Sequence, residues 1–335
     1  MKGKHTIHTL DMHTGGEPLR IVLDGFPEIK INDILAVRTH LKKHHDHLRK
    51  YIMWEPRGHS DMYGLLKVPA QRADSSFGVI FMHNEGYSTM CGHATIAIGR
   101  LAVDLNWVEA SSPMTRFKMD APCGQIEIET TIQDDAVKRV SFRNVPSFYI
   151  GSYTIDTEEW GKIEYDLAYG GAFYAYIKAE QIGAQCTDDY YSQFVDAGKK
   201  LKKKIIGTNR SIIHPFEESL SFLYGVIFID EAADHGIHSR NVCVFADGQI
   251  DRCSTGSGIS GRAAIHFAKG ELGLNETISI QSILGTAMEV EVIESLTYGP
   301  YDAVVPQVSG MAYYTGKSEF LYEEDDPLKG GFLLG

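Results

Sequence analysis

Thr89-Met90-Cys91-Gly92-His93 runs without a break into Ala94-Thr95-Ile96-Ala97-Ile98-Gly99-Arg100-Leu101. Thr255-Gly256-Ser257-Gly258 repeats the pattern in the other half of the chain. In both, a small reactive side chain and a glycine stand where a strand gives way to a helix. One such turn per half suggests two related domains whose helix N-termini face a shared cleft. Working outward, alternating stretches predict strands at residues 4–10, 19–23, 77–82, 125–131, 137–142, 173–177, 222–229, 241–245, 277–280 and 288–293. Helical patterns are fewer: about 33–51 behind Asn32 as a cap, one after Cys91, roughly 188–204, and one after Thr255. Most strands adjoin others with no helix between. The expectation is an α+β fold of mostly antiparallel sheets, not a doubly wound parallel one.

Composition narrows the class of function. Of 335 residues, 43% are apolar and 23% charged, which suits a globular chain of two domains with real cores. The net charge of −12 comes with no strong basic block, so nucleic acid and anionic membrane are poor partners. No apolar run reaches the roughly 20 residues of a membrane span. The opening residues have no apolar core of the kind a signal peptide carries. Five cysteines in no CxxC spacing argue against a disulfide framework or a zinc site. The expectation is a soluble, cytoplasmic, acidic enzyme.

Cys91, at the start of an apolar helix, is the strongest chemical signal. Helix N-termini favour a thiolate and lower a thiol pKa from about 8.5 to about 3.5–7.5. Against this stands the ordinary fate of a lone cysteine, that of a small buried hydrophobe. Gly92 lets a ligand approach the backbone, and His93 offers a proton or a hydrogen bond. Gly256, Gly258 and Gly261 fit GxGxxG, but no βαβ pattern flanks them and no acid follows at the required distance. A nest of N–H groups for a small carboxylate suits them better. With Asp251 beside it to hold an ammonium, such a nest would hold an amino acid. His40, His44, His45 and His47 lie among Lys42, Lys43, Arg49 and Lys50 with only Asp46 as a nearby carboxylate. They are expected to form a solvated helix face and not a metal site. The polar loops 13–18 and 55–61 could each line a cleft or be structural, and Tyr169-Gly170-Gly171-Ala172-Phe173-Tyr174 is most simply a bulged entry into a strand.

Taken in order, HTGGEP (13–18), EPRGH (55–59), MCGH (90–93), YGGxFY (169–174), DRxxTGSG (251–258) and the ending Asp325-Asp326-Pro327-Leu328-Lys329-Gly330-Gly331-Phe332-Leu333-Leu334 resemble the proline racemase family over essentially the whole chain. The resemblance implies two similar α+β domains, each a curved, mostly antiparallel sheet around a central helix (diaminopimelate epimerase-like). They would span residues 1–147 plus 308–335, and 148–307. It places the active site in the interdomain cleft, with no metal and no cofactor. Racemases and 4-hydroxyproline epimerases of this family use two cysteines, one on each face of the substrate α-carbon. Cys91 stands at the first position, but Thr255 occupies the second, in a segment that more often reads DRSPCGTG. That Cys/Thr pairing is similar to the family's trans-3-hydroxy-L-proline dehydratases. Carried over by position, Cys91 would be the base, and Gly92, His93, Asp251, Gly256 and Ser257 would bind substrate. Two further departures, Cys253-Ser254 for Ser-Pro and Ala172 where GGNFY has Asn, bear on the substrate.

The expected activity is a cofactor-independent dehydration yielding pyrroline-2-carboxylate. Its rivals are a proline racemase or 4-hydroxyproline epimerase with Cys253 displaced into the second role, and a non-catalytic amino-acid-binding protein. The partner expected is a small amino-acid substrate, with a homodimer left open.

Overall fold

The computed structural model describes residues 5–208, 212–231 and 235–334; Lys4, where the first expected strand begins, lies outside them. The residues up to Val140, joined by those from Met311 onward, form one compact unit, and Ser141–Gly310 forms a second.

In the first unit Ala312–Tyr322 pairs antiparallel with His5–Thr14, which pairs antiparallel with Glu17–Asp24. Further steps are parallel to Tyr63–Val68, antiparallel to Phe77–His83, parallel to Met114–Ala121 and antiparallel to Gly124–Gln133. A parallel step cannot be closed by a hairpin, so each needs a crossover. The first crossover carries the helices Ile34–His40 and Asp46–Met53, and the second carries Gly92–Asp104. This last helix is buried from Gly92 to Gly99 and packs against His5–Thr14, Gly124–Gln133 and Ala312–Tyr322. Its apolar character on every face is what a helix enclosed by a sheet requires.

The second unit repeats the same succession. Ser147–Thr157, Gly161–Tyr169 and Phe173–Lys178 pair antiparallel in turn. A parallel step then leads to Leu223–Asp230, an antiparallel one to Ser239–Phe245, a parallel one to Thr277–Gln281 and an antiparallel one to Ala287–Tyr298. Tyr301–Gly310 follows and pairs back onto Ser147–Thr157, closing the sheet on itself. The crossovers carry Tyr191–Ile206 and the buried helix Gly256–Ala268. Phe194, Leu201 and Ile205 of the former pack on Phe228, Val242 and Val244. Each such buried side chain stabilises the unit by roughly 1.5–3 kcal/mol. The echo between Cys91-Gly92 and Thr255-Gly256 is thus the visible trace of a duplicated topology. The chain is α+β with two similar, sheet-rich domains, each wrapped on one central helix.

Some local expectations need correction. Asp33, not Asn32, caps the first helix, its Oδ1 accepting the Ala36 N–H at 2.6 Å. That helix is not continuous to residue 51, because a π turn, Leu41–His45, interrupts it. His13-Thr14-Gly15-Gly16-Glu17-Pro18, for which a cleft-lining and a structural role were both open, is a two-residue hairpin, with Thr14 opposite Glu17 and Gly15 and Gly16 at φ 60° and 94°. Tyr169–Tyr174 is likewise a tight turn joining two paired strands. No helix among the described residues is long and apolar enough to cross a membrane.

Candidate active site

The first unit builds a thiol site at the start of Gly92–Asp104. Cys91 is the N-cap, extended at φ −146°, ψ 107°, and its Sγ accepts the Ala94 N–H at 3.4 Å. The helical ladder begins with Thr95 N–H donating to Cys91 O at 3.0 Å, so the N–H groups of Gly92 and His93 precede it. The sulfur therefore sits at the positive end of the helix dipole, where negative charge is stabilised. His93 Nδ1 is 3.1 Å from Cys91 Sγ and Nε2 is 3.7 Å away, both groups being buried. His93 is held through its backbone and through its ring. Thr14 Oγ1 donates to His93 O at 2.9 Å, and the Tyr63 ring meets the imidazole edge-on at 4.9 Å. Tyr63 in turn hydrogen-bonds Ser88 through its hydroxyl. Burial pushes Cys123 up to about 12 and also raises Cys186, leaving those thiols inert.

The second unit presents the corresponding turn with different chemistry. Asp251 is buried; its Oδ1 accepts the Cys253 N–H at 2.8 Å and its Oδ2 accepts the Thr255 hydroxyl at 2.8 Å. Thr255 lies at φ 63°, ψ 92° and, unlike Cys91, makes no side-chain cap. A β-branched residue in that region is strained by an order of 1–3 kcal/mol. Cys253 Sγ accepts the Thr255 N–H at 3.3 Å and is buried, so it serves the inside of the turn. The first intrahelical bond runs from Ile259 N–H to Thr255 O at 2.8 Å, so Gly256, Ser257 and Gly258 supply the leading N–H groups. Ser257 Oγ meets the Tyr174 hydroxyl at 2.8 Å, and burial keeps that phenol neutral by raising its pKa well above its usual value.

The glycines of the segment have two separate uses. Gly256 opens the helix. Gly258 and Gly261 lie within it, where a Cβ would come to 2.4 Å from Ile227 Cδ1 and 2.1 Å from the Tyr176 hydroxyl. The leading N–H groups of the expected nest lie in the first turn, and Gly258 and Gly261 are needed for packing as well. Gly170 fits from the opposite side: a Cβ there would fall 2.1 Å from Ser257 O.

Each turn thus gathers its expected residues: Cys91, Gly92 and His93 in the first unit, Asp251, Thr255, Gly256 and Ser257 in the second. Thr14, Tyr63, Ser88 and Tyr174 join them. Of these only Thr14 and Tyr174 stood in segments that attracted notice, and Tyr63 and Ser88 carry no local signal at all. In the loop 55–61, Arg57 Nη2 donates to the Leu328 and Lys329 carbonyls and its guanidinium covers Tyr51, which pins the C-terminal segment. The π turn stacks His40 near both His44 and His45, with ring centroids at 4.9 and 5.1 Å. Asp46, the carboxylate within reach in sequence, is taken up by Arg49 at 2.7 Å.

The proline racemase family model matches residues 9–333. A trans-3-hydroxy-L-proline dehydratase of Colwellia psychrerythraea is 48% identical over 330 residues, covering 98% of this chain and 93% of that protein. The human trans-3-hydroxy-L-proline dehydratase is 42% identical over 339 residues, covering 99% and 96%. Among solved structures, a hydroxyproline epimerase from Agrobacterium vitis with bound trans-4-hydroxy-L-proline superposes with a TM-score of 0.92 at 27% identity, covering 100% and 97%.

Proposed function

The chain belongs to the proline racemase family, and from that premise we propose that it dehydrates trans-3-hydroxy-L-proline to pyrroline-2-carboxylate. The observation that carries the proposal is the buried Thr255–Asp251 hydrogen bond at 2.8 Å. A racemase must return a proton to the second face of the α-carbon, and the group at the second position here is an alcohol. Its proton is already donated to a carboxylate, whose negative charge makes the alcohol harder still to ionise. Thr255 can then neither protonate a carbanion on that face nor remove a proton from it.

In the proposed reaction the Cys91 thiolate removes the α-proton. The substrate carboxylate rests on the leading N–H groups of Gly92 and His93 and of Gly256 and Ser257, which take up charge as the carbanion forms. Asp251 holds the secondary ammonium. Thr255 Oγ, its hydrogen committed to Asp251, keeps its lone pairs to accept a second N–H. The electron pair left at the α-carbon expels the 3-hydroxyl, which takes up a proton and departs as water. The nitrogen gives up a proton as the enamine forms; the enamine then gains a proton at C3 and loses the remaining one from nitrogen, which leaves the cyclic imine. His93, beside Cys91, is the proton carrier nearest the base.

With this function go a cytoplasmic location and a single small amino-acid substrate, with no nucleic-acid or membrane partner. The family resemblance sets the domain limits at 1–147 plus 308–335, and 148–307, while the compact units divide after Val140 and Gly310; a homodimer is one assembly compatible with the proposal. The test is binding and turnover together. Pyrrole-2-carboxylate, planar like the carbanion, should compete with substrate. Asp251→Asn should lower kcat/KM by about 30-fold or more, since truncating one partner of a buried charge pair costs about 2–5 kcal/mol. Non-competitive inhibition, or an Asp251→Asn enzyme as active as wild type, would refute the placement.

A further inference from the structure

The backbone of Thr255 is held at φ 63° against a steric penalty, and the restraints on it come from two directions. On one side are Asp251 and Cys253, already described. On the other, the Ser254 carbonyl, which begins the Ser254–Thr255 peptide, accepts a hydrogen bond from Asn241 Nδ2 at 3.4 Å. Asn241 is fully buried on the strand Ser239–Phe245. Its Oδ1 accepts from Arg262 Nη1 at 2.9 Å, and the same nitrogen donates to Ser239 Oγ at 2.6 Å.

Arg262 is only 3% exposed, and the side chains it meets are neutral: Ser239, Asn241 and, at 3.1 Å from Nη2, His266 Nε2. Glu271 approaches only through that imidazole, 2.6 Å from His266 Nδ1. Burial draws the guanidinium down to about 10, which still leaves it charged at neutral pH. A guanidinium has donors and no acceptor. It therefore settles which way the Asn241 amide points: oxygen toward Arg262, NH2 toward the Ser254 carbonyl. The buried cation two links away thus specifies a donor at the strained turn.

We propose that Asn241, oriented by Arg262, is a positioning residue for the candidate active site. It holds the Ser254 carbonyl and so fixes the left-handed backbone that directs Thr255 Oγ1 to Asp251 and starts the helix at Gly256. The kinetic part of this proposal rests on the dehydratase function; the conformational part does not.

Asn241→Asp separates positioning from plain structural support. The two side chains have the same shape, and the carboxylate pairs directly with Arg262, so the thermal midpoint should equal or exceed that of wild type. The donor to Ser254 is lost, and kcat per folded molecule should fall about 10–100-fold, as expected when a catalytic group moves by a fraction of an ångström. Ser239→Ala removes a different acceptor of Arg262 and leaves the amide in place; its kcat should stay within about threefold of wild type. A crystal structure of Asn241→Asp gives a readout independent of any substrate, and Thr255 should have left the left-handed region. Full activity in Asn241→Asp, a loss accounted for by its unfolded fraction, or an unmoved Thr255 backbone would overturn the proposal. Failure of wild type to turn over trans-3-hydroxy-L-proline, with Thr255 displaced in the variant, would instead overturn the function and leave the positioning role standing.

Discussion

His266 ties the stability of the second unit to pH, and the size of the effect follows from its surroundings. Burial, then the adjacent Arg262 cation, lowers its pKa from 6.5 to about 4, with Glu271 opposing. Unfolded, the imidazole titrates near its ordinary value and binds a proton that the folded protein resists. Between those two values the unfolded state therefore binds more protons, and stability falls as pH drops from about 6.5 toward about 4. At 1.36 kcal/mol per pH unit of displacement, the full loss is about 3 kcal/mol, of which about 2 kcal/mol is already gone at pH 5. His214 and His238, both lowered by burial, act in the same direction, so wild type alone cannot isolate the effect. Urea denaturation at pH 7.5, 6, 5 and 4.5 should be compared for wild type and His266→Gln, which keeps a polar side chain that does not titrate. The variant should start less stable and lose about 2 kcal/mol less between pH 7.5 and 5. Parallel pH profiles for the two proteins would refute the reasoning, because they would mean that His266 is not held neutral.

Three substitutions probe the site from other directions. Cys91→Ser should lower kcat by at least about 100-fold with an unchanged circular dichroism spectrum, as loss of an essential acid–base group does; a rate above about a hundredth of wild type would exclude Cys91 as the base. Thr255→Cys supplies a group that titrates near neutral pH at the second position. It should introduce slow inversion of proline or 4-hydroxyproline, read by chiral chromatography, at a small fraction of the dehydration rate because placement is not optimised. Gly170→Ala drives a Cβ against Ser257 O and should cost roughly 1–3 kcal/mol in urea denaturation, with an accompanying rise in KM.

What could be read from the sequence followed from local chemistry. The apolar run behind Cys91 and the paired glycine turns fix two buried helices, and alternation fixes the strands whose two faces differ. Apolar, β-rich runs such as Phe77–His83 and Leu223–Asp230 are legible too, although both their faces are buried, whereas Tyr301–Gly310 and Ala312–Tyr322 are not. Tyr301–Gly310 carries Pro306 in its middle, tolerated beside the bulge at Val292 and Glu294, and Ala312–Tyr322 is mostly exposed. The π turn left no pattern, because its extra residue shifts the helical period without changing composition. At the site, Cys91, Asp251 and Thr255 could be named because each lies in a turn with its own neighbours. Tyr63 and Asn241 could not, since each acts through a partner many residues away that only the folded sheet brings near. That Gly258 and Gly261 also serve close packing against Ile227 and Tyr176 could not be read, because a glycine needed for a close approach looks identical in sequence to one needed for backbone N–H groups.

If Thr255 leaves this enzyme one proton-transferring face, the carbanion loses water instead of inverting. A single reaction in deuterium oxide tests it: purified wild type with optically pure trans-3-hydroxy-L-proline, the cyclic imine trapped and the remaining amino acid resolved by chiral chromatography. Pyrroline-2-carboxylate carrying deuterium at C3, with no inverted 3-hydroxyproline, is the outcome expected of a one-base dehydratase. Inverted, α-deuterated 3-hydroxyproline without imine would contradict it, and so would rapid inversion of L-proline or trans-4-hydroxy-L-proline in a parallel reaction.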